Sequence, residues 1–195
     1  ARSYYELMAK KVVIVGTNKD DRFEVERGEG QTIVRLYILK KGKKKDKMYE
    51  RTFLHSETKE IQLYGLDGDD EFEIDGEASS GILVRAIGGR DEDVFDDDSS
   101  VKGWSKKTKI YDTKEGNKVK DDNEIKDHRS DRYVLNEYDF KDKDVNYAII
   151  LPILGFNPDD GFHLGAFADV FRFGFKKKPY AQKHRIGGNY SFATQ

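Results

Sequence analysis

Three stretches of the chain share one frame, Gly-x-x-x-x-Asp-x-Phe, and no other feature restricts the possible folds as strongly. The copies are "GTNKDDRFEV", "GLDGDDEFEI" and "GGRDEDVFDD". Gly16, Asp21 and Phe23 therefore align with Gly65, Asp70 and Phe72, and with Gly88, Asp93 and Phe95. Each copy follows a short apolar run: "VVIV", "IQLY" or "ILVRAI". A degenerate fourth copy is "KIYDTKEGNKV", with Asp112 after Tyr111 and Val119 opening the return run. The unit is strand, acidic turn, then a strand opened by a core-facing Phe.

Equivalent positions of the second and third copies are 23 residues apart, and those of the first and second are 49 apart. A hairpin over residues 32–54 fills the longer gap. A period near 23 suits rungs of a small parallel β-solenoid, in which each unit buries its apolar face on the next. Hairpins of an antiparallel β-sandwich fit the same residues, with Asp67-Gly68 as the turn dipeptide. Both architectures stay open here. In either, the glycine is expected to supply a positive φ and the Phe to close a core layer.

The remaining chain reads as β as well. Helical periodicity is confined to a short segment, Tyr4 to Lys11. Elsewhere, short β-branched and aromatic runs alternate with Gly, Asp, Asn and Lys clusters. Between Thr32–Leu39 and Met48–Leu54 lies "KKGKKKDK", a solvated hairpin tip whose lysines keep a strand edge soluble. Although 37% of residues are charged, 11 Tyr and 12 Phe are too many for a disordered chain. A net charge of −2 gives no argument for nucleic acid. No cysteine is present, which excludes disulfides, thiol catalysis and cysteine-ligated zinc. No run of about 20 apolar residues forms a transmembrane helix, but a membrane β-strand leaves a weaker signal. The sequence starts at Ala1 without an initiator Met or a signal-peptide pattern and ends within a strand-like run. The expectation is an internal piece of a longer protein.

The acidic frame overlaps the calcium-binding nonapeptide Gly-Gly-x-Gly-x-Asp-x-apolar-x. Calcium takes six to eight hard oxygens, supplied there by turn carbonyls and Asp carboxylates of stacked turns. Gly65, Gly68, Asp70 and Phe72 match, with Leu66 at the second glycine. Gly88, Gly89, Asp93 and Phe95 match, with Asp91 at the third. A calcium site would use Asp67, Asp69, Asp70, Asp91 and Asp93. The competing reading is that clustered Asp side chains cap nearby backbone N–H groups. Catalytic chemistry finds less support. His55, His128, His163 and His184 have no metal-ligand spacing, "DHRSDR" (127–132) lies in a charged stretch, and no nucleophile elbow, phosphate loop or dinucleotide fingerprint occurs. No catalytic residue is assigned.

After a polar linker, 120–145, the composition shifts to glycine and aromatics. In Lys183 to Ala193 the alternation is clean: His184, Ile186, Gly188, Tyr190 and Phe192 face one way, Lys183, Arg185, Asn189 and Ser191 the other. Phe162 to Phe175 is long enough for a tilted membrane strand, with its alternation blurred by Asp169 and Arg172. "KKKPYAQ" is the turn between the two. An ordinary soluble hairpin is the competing reading.

"RSYYELMAKKVVIVGTNKDDRFEVER", "IQLYGLDGDDEFEI", "IGGRDEDVFDD" and, most specifically, "LPILGFNPDDGFHLGAF" with "KKKPYAQKHRIGGNYSFAT" carry a resemblance. The chain resembles the β-rich segment of Bacteroidota outer-membrane proteins, which have an upstream calcineurin-like metallophosphoesterase and a C-terminal surface-antigen type β-barrel. The resemblance implies an all-β fold: a repeat-containing β-solenoid or β-sandwich over 1–119 with the inserted hairpin 32–54, the linker 120–145, and the start of an outer-membrane β-barrel over 146–195. Asn157-Pro158-Asp159-Asp160-Gly161 is the turn leading into the barrel. No phosphoesterase signature occurs, so any such activity belongs upstream.

The expected function is structural and non-catalytic: a periplasm-facing repeat segment joined to a barrel anchored in outer-membrane lipid. A soluble calcium-dependent binding or adhesion module is the alternative. A third reading is an outer-membrane assembly or docking component that contacts other outer-membrane or surface proteins.

Overall fold

The computed structural model describes residues 2–122, 124–141, 145–159 and 161–192, with side chains for all of these except 2, 3, 121 and 122. Among the described residues the chain is all-β apart from a short helix, α1 (Arg2–Ala9), and one 3-10 turn, Tyr133–Leu135. It divides into two compact units, residues 1–138 and 139–195.

The described residues of the first unit form twelve strands: β1 (Lys11–Val15), β2 (Asp21–Gly28), β3 (Gln31–Lys40), β4 (Lys43–Leu54), β5 (Glu60–Leu66), β6 (Glu71–Ala78), β7 (Leu83–Gly89), β8 (Val94–Asp97), β9 (Ser100–Val101), β10 (Thr108–Tyr111), β11 (Lys118–Asp122) and β12 (Ile125–Asp127). One sheet has the order β1-β5-β7-β10-β12 and is parallel throughout. The other has the order β11-β8-β6-β2-β3-β4, parallel up to β2 and antiparallel across the hairpin.

Each copy of the glycine–aspartate frame places its first strand in one sheet and its second in the other. The acidic turn is therefore a corner between sheets. Asp67-Gly68 is not a hairpin turn, because β5 and β6 do not pair. The dipeptide chemistry is the same in both cases, and only the partner strand distinguishes them. Neighbouring copies pair in register, with Gly16, Gly65 and Gly88 in one column. The register of β10 on β7, Tyr111 opposite Ile87, brings Asp112 beside Gly88.

Strict alternation sets the core. Phe23, Phe72 and Phe95 are mutually in register, and their rings stack at 4.9 Å and 5.0 Å with interplanar angles of 2° and 10°. The stack follows the strand spacing, because in-register parallel strands repeat at about 4.8 Å. Ile61, Leu63, Val84, Ala86 and Ile110 face it from the opposite sheet. The hairpin β3–β4 extends one sheet and adds Val34, Leu36 and Phe53 to the same core. Its strands run farther than the lysine cluster suggests, closing at Lys41-Gly42, where φ is 55° and 69°. Paired backbone outweighs local side-chain repulsion there.

Arg27 continues the inward parity of Phe23 and Val25 and is 3% exposed. Its guanidinium donates to Ser99 Oγ, Thr108 Oγ1 and the carbonyls of Ile82 and Lys107 at 2.9–3.2 Å. A buried cation is tolerated when its donors are used and acids lie near; Asp97 and Glu124 supply that charge.

The stretch expected as a linker, 120–145, is partly structural. β12 pairs with β10, His128 stacks on Tyr111 at 5.2 Å, and the Tyr138 ring meets that of Tyr64 at 5.0 Å. The boundary between units accordingly falls after Tyr138. The polar composition hides this because strands this short carry few apolar residues.

The second unit is an antiparallel sheet of β13 (Tyr147–Asn157), β14 (Gly161–Gly174) and β15 (Lys177–Ser191), paired in that order. Of the proposed lead-in turn 157–161, Asp160 lies outside the described residues.

Candidate functional site

The corner aspartates form a row of hydrogen bonds from copy to copy. The backbone N–H of Asp21 donates to Asp70 Oδ1 at 2.7 Å, and that of Asp70 donates to Asp93 Oδ1 at 2.8 Å. The N–H of Asp93 donates to Asn117 Oδ1 at 2.6 Å. The register of β11 on β8 places Asn117 beside Asp93, so it is the fourth member of the row. A corner interrupts the sheet ladder, and each carboxylate satisfies the N–H orphaned in the preceding copy. A second, outer row runs alongside. Asp20 Oδ1 accepts from the Asp69 N–H at 3.3 Å, and Asp69 Oδ1 accepts from the Glu92 N–H at 3.2 Å.

The frame glycine serves the same row. A Cβ on Gly65 would lie 2.0 Å from Asp70 Oδ2, and one on Gly88 would lie 2.0 Å from Asp93 Oδ2 and 2.3 Å from Asp112 Oδ2. The carboxylate of each copy thus folds over the bare Cα of its own glycine, which explains the fixed five-residue step. The expectation of positive φ at these glycines is corrected: close approach requires them. Positive φ falls on the next positions instead, Leu66 at 89° and its register partner Gly89 at 127°.

Asp21, Asp70, Asp93 and Asp112 are all fully buried, and each leaves one oxygen without a donor. Desolvation pushes the Asp70 carboxyl up to about 8, against the lowering effect of the hydrogen bond from the Asp21 backbone N–H. Burial and then the Asp112 charge push Asp93 up, and burial raises Asp112. Across the Gly88 Cα the Oδ2 atoms of these two carboxyls come together. Two carboxylates in such an enclosure cannot both stay ionised without a counter-ion.

The five residues expected to hold calcium do not form one donor set. Asp70 and Asp93 lie inside the row, with Oδ1 committed to backbone N–H groups. Asp69 and Asp91 are exposed on the corners. Asp91 Oδ2 accepts from the Gly68 N–H at 3.2 Å, and Asp67 faces Arg90 at 3.8 Å. Among the described residues no three His, Cys, Asp or Glu side chains converge as a metal site. Asp112 was expected in the fourth copy but not among the ion ligands, and Asn117 was not singled out. The glycine and aspartate columns of the frame, extended to the fourth copy, are the signal that marks them.

The histidines are dispersed. His55 contacts Thr32 Oγ1 at 3.1 Å, His128 stacks on Tyr111, and His163 and His184 belong to the second unit.

That second unit has two unlike faces. Directly opposed residues share a face in an antiparallel pair. One face carries Phe156, Leu154, Pro152, Ile150 and Ala148 from β13; Phe162, Leu164, Ala166, Ala168 and Val170 from β14; and Phe192, Tyr190, Gly188, Ile186 and His184 beside and along β15. Ile150, Phe156 and Ile186 are each 72% exposed. The Phe156–Phe162–Phe192 row closes one end, and Arg172, opposite Gln182, lies beyond the other.

The opposite face of β14 and β15 is mixed, with Phe167 and Phe171 of β14 on either side of an ion-paired group. Arg185 donates to both oxygens of Asp169 at 2.6 Å, Lys183 joins at 3.3 Å, and Asn189 lies opposite Gly165. Asp169 lies between Phe167 and Phe171 on this face, and Arg172 continues the parity of the apolar one, so the alternation of β14 is blurred at both positions. β13 is apolar on both faces. No protein-family model matches the chain, and no curated protein or solved structure matches it either.

Proposed function

We propose that the chain is a structural, non-catalytic segment of an outer-membrane protein: a periplasm-facing β-solenoid followed by the first strands of a membrane β-barrel. The observation that carries this reading is the apolar face of the second unit, bounded by an aromatic row and without the ion-paired group, Asp169, Arg185 and Lys183, that the reverse face carries. From Phe156 to Ala148 the band measures about 27 Å along the strand, or about 20 Å once tilted, against a lipid-facing band of about 25 Å in outer-membrane barrels. A soluble three-stranded sheet has no reason to expose so much contiguous apolar surface. Three strands leave open edges, so the reading requires further strands to close the cylinder.

In the first unit the supporting features are the in-register Phe stack and the copy-to-copy aspartate row, which make each rung depend on its neighbour. The burial of the row, with its carboxylates occupied by backbone N–H groups, favours a scaffold over a ligand-presenting surface. The hydrocarbon contact is assigned to the second unit alone.

Purification decides the reading. The full chain is expected to aggregate without detergent and to become monodisperse in micelles. A monodisperse chain in detergent-free buffer with the second unit folded overturns it.

A further inference from the structure

We propose that the loop over residues 102–107 of the first unit, with Trp104 at its tip, docks on an anionic lipid surface at the level of the headgroups. Trp104 is the only Trp in the chain and stands entirely in solvent, at 107% exposure. Beyond its chain neighbours, no atom lies within 4 Å of the place that a Cβ on the preceding Gly103 would take. Lys102, Lys106 and Lys107 flank the indole, and no acidic residue occurs between Asp98 and Asp112. Lys102 and Lys107 enter no ion pair among the described residues. Glu29, whose charge Lys102 senses, is already held by the N–H and hydroxyl of Ser79.

The base of this loop is fixed while its tip is bare. One carboxylate, Glu124, accepts from both arms: from the Val101 N–H at 3.2 Å and from the Lys107 N–H at 3.1 Å. The Lys102 N–H donates to the Ala78 carbonyl at 3.1 Å. The Lys107 carbonyl accepts from the Val84 N–H at 2.8 Å and from the Arg27 guanidinium at 3.2 Å. Docking therefore orders few residues, and little contact energy is lost to it. Because β1, β5, β7 and β10 run parallel, the acidic corners all lie at their C-terminal ends. The loop leads into β10 and so lies at the opposite edge of the sheet. An anionic surface attracts that edge and repels the corners.

The residue types narrow the partner. Trp settles at membrane–water interfaces, where one end of its ring is wet and the other apolar, and a lysine stem lies along apolar surface with its charge among the headgroups. Each lysine near an anionic surface gives about a fivefold gain in affinity, so three together give about 100-fold. Cores of protein–protein interfaces also take Trp, but they are depleted of Lys. Single-stranded nucleic acid is held by several aromatics in succession, and this loop has one. Flanking charges keep the indole in the headgroup layer, which separates this contact from the hydrocarbon contact of the second unit. The proposal does not rest on that anchoring role.

The test reconstitutes the full chain into vesicles of phosphatidylcholine, alone or with one-third phosphatidylglycerol, part of the lipid being brominated near the headgroup end of its acyl chains. Excitation selective for indole reads Trp104 alone, and flotation reads separately whether the chain is on the vesicle. With phosphatidylglycerol in about 0.1 M salt, the emission is expected to move to shorter wavelength and to be quenched. In about 1 M salt, where the screening length falls from about 10 Å to about 3 Å, most of the shift is expected to reverse. Replacing all three lysines, Lys102→Gln, Lys106→Gln and Lys107→Gln, is expected to do the same, and neutral vesicles to lower the docked-to-free ratio by about 100-fold. The salt dependence on the unaltered chain stands even if that variant unfolds. A chain that floats with Trp104 unquenched and water-like on both vesicles overturns the proposal and leaves the anchor standing. Quenching on phosphatidylglycerol by a chain that stays off neutral vesicles supports the loop and removes the anchor. Equal quenching on both vesicles at both salt concentrations overturns the proposal. So does short-wavelength emission in detergent that grows with protein concentration, which assigns the indole to a contact between chains.

Discussion

The Asp70 backbone N–H donates to Asp93 Oδ1 at 2.8 Å, across the 23 residues that separate two copies of the same frame. A side chain that looked like the ligand of an ion is instead the acceptor that closes the neighbouring corner. The stability of the row then depends on what neutralises its buried oxygens.

Protons do so in this account, and the dependence on pH follows. The Asp70 carboxyl stands at about 8 in the folded chain against 3.8 for an unperturbed Asp. Between those values the folded state holds a proton that the unfolded state has released. Stability is fully present below pH 3.8 and falls as pH rises through about 8, by about 1.4 kcal/mol per pH unit for each such group. Asp70→Asn keeps the Oδ1 acceptor and removes the titration, as Asn117 does naturally in the fourth copy. Thermal melts of the variant are expected to exceed those of the parent at pH 9 and to converge with them near pH 4. A variant that melts lower than the parent throughout contradicts the assignment.

Calcium is expected to matter little to the same row. Because the Oδ1 atoms of Asp70 and Asp93 are occupied and Asp69 and Asp91 stay on the surface, melts in chelator and in millimolar calcium should coincide. An upward shift of several degrees with calcium, lost in Asp93→Asn, would restore the ion.

Gly65→Ala places a methyl group 2.0 Å from Asp70 Oδ2 and 2.5 Å from the Gly88 carbonyl oxygen. Backbone cannot yield as a flexible side chain does, so a loss of about 2–4 kcal/mol is expected in chemical denaturation. Leu66→Gly, at a φ of 89°, should by contrast be neutral or stabilising by about 1 kcal/mol. Similar effects of the two substitutions would mean that the corner is not built as described.

Phe72 stacks on both Phe23 and Phe95 at the middle of the core. Phe72→Ala should cost about 3–5 kcal/mol, more than Phe95→Ala, which breaks only one of these stacks. Urea titrations of the two variants provide the comparison.

The repeating corner was legible because Gly, Asp and Phe occupy fixed offsets, and the offsets are what the Gly–Asp contact and the Phe stack demand. Whether Asp67-Gly68 turns into a hairpin or between sheets was not legible, since an Asp-Gly pair serves either turn and the two differ in a distant partner. Arg27 sits among charged residues in "FEVERGEG" and reads as surface. Its parity with Phe23 and Val25 was the available signal, but identity outweighs parity when charge is read residue by residue. The burial of Asn136, which is 4% exposed, left no mark at all, because it comes from residues 133–138 packing beside copies far away in sequence. In the second unit Asp169 was legible as a break in the pattern, but the Arg185 that register places opposite it was not.

The two faces of that unit test the central claim most directly. The chain has no cysteine, so a single introduced one takes an environment-sensitive dye uniquely. Dye at Ile150→Cys and at Ile186→Cys, in micelles containing a lipid-borne quencher, is expected to emit at shorter wavelength and to be quenched. Dye at Lys183→Cys and at Asn189→Cys is expected to do neither. Equal quenching on both faces, or water-like emission from all four positions in a folded chain, contradicts a lipid-facing sheet.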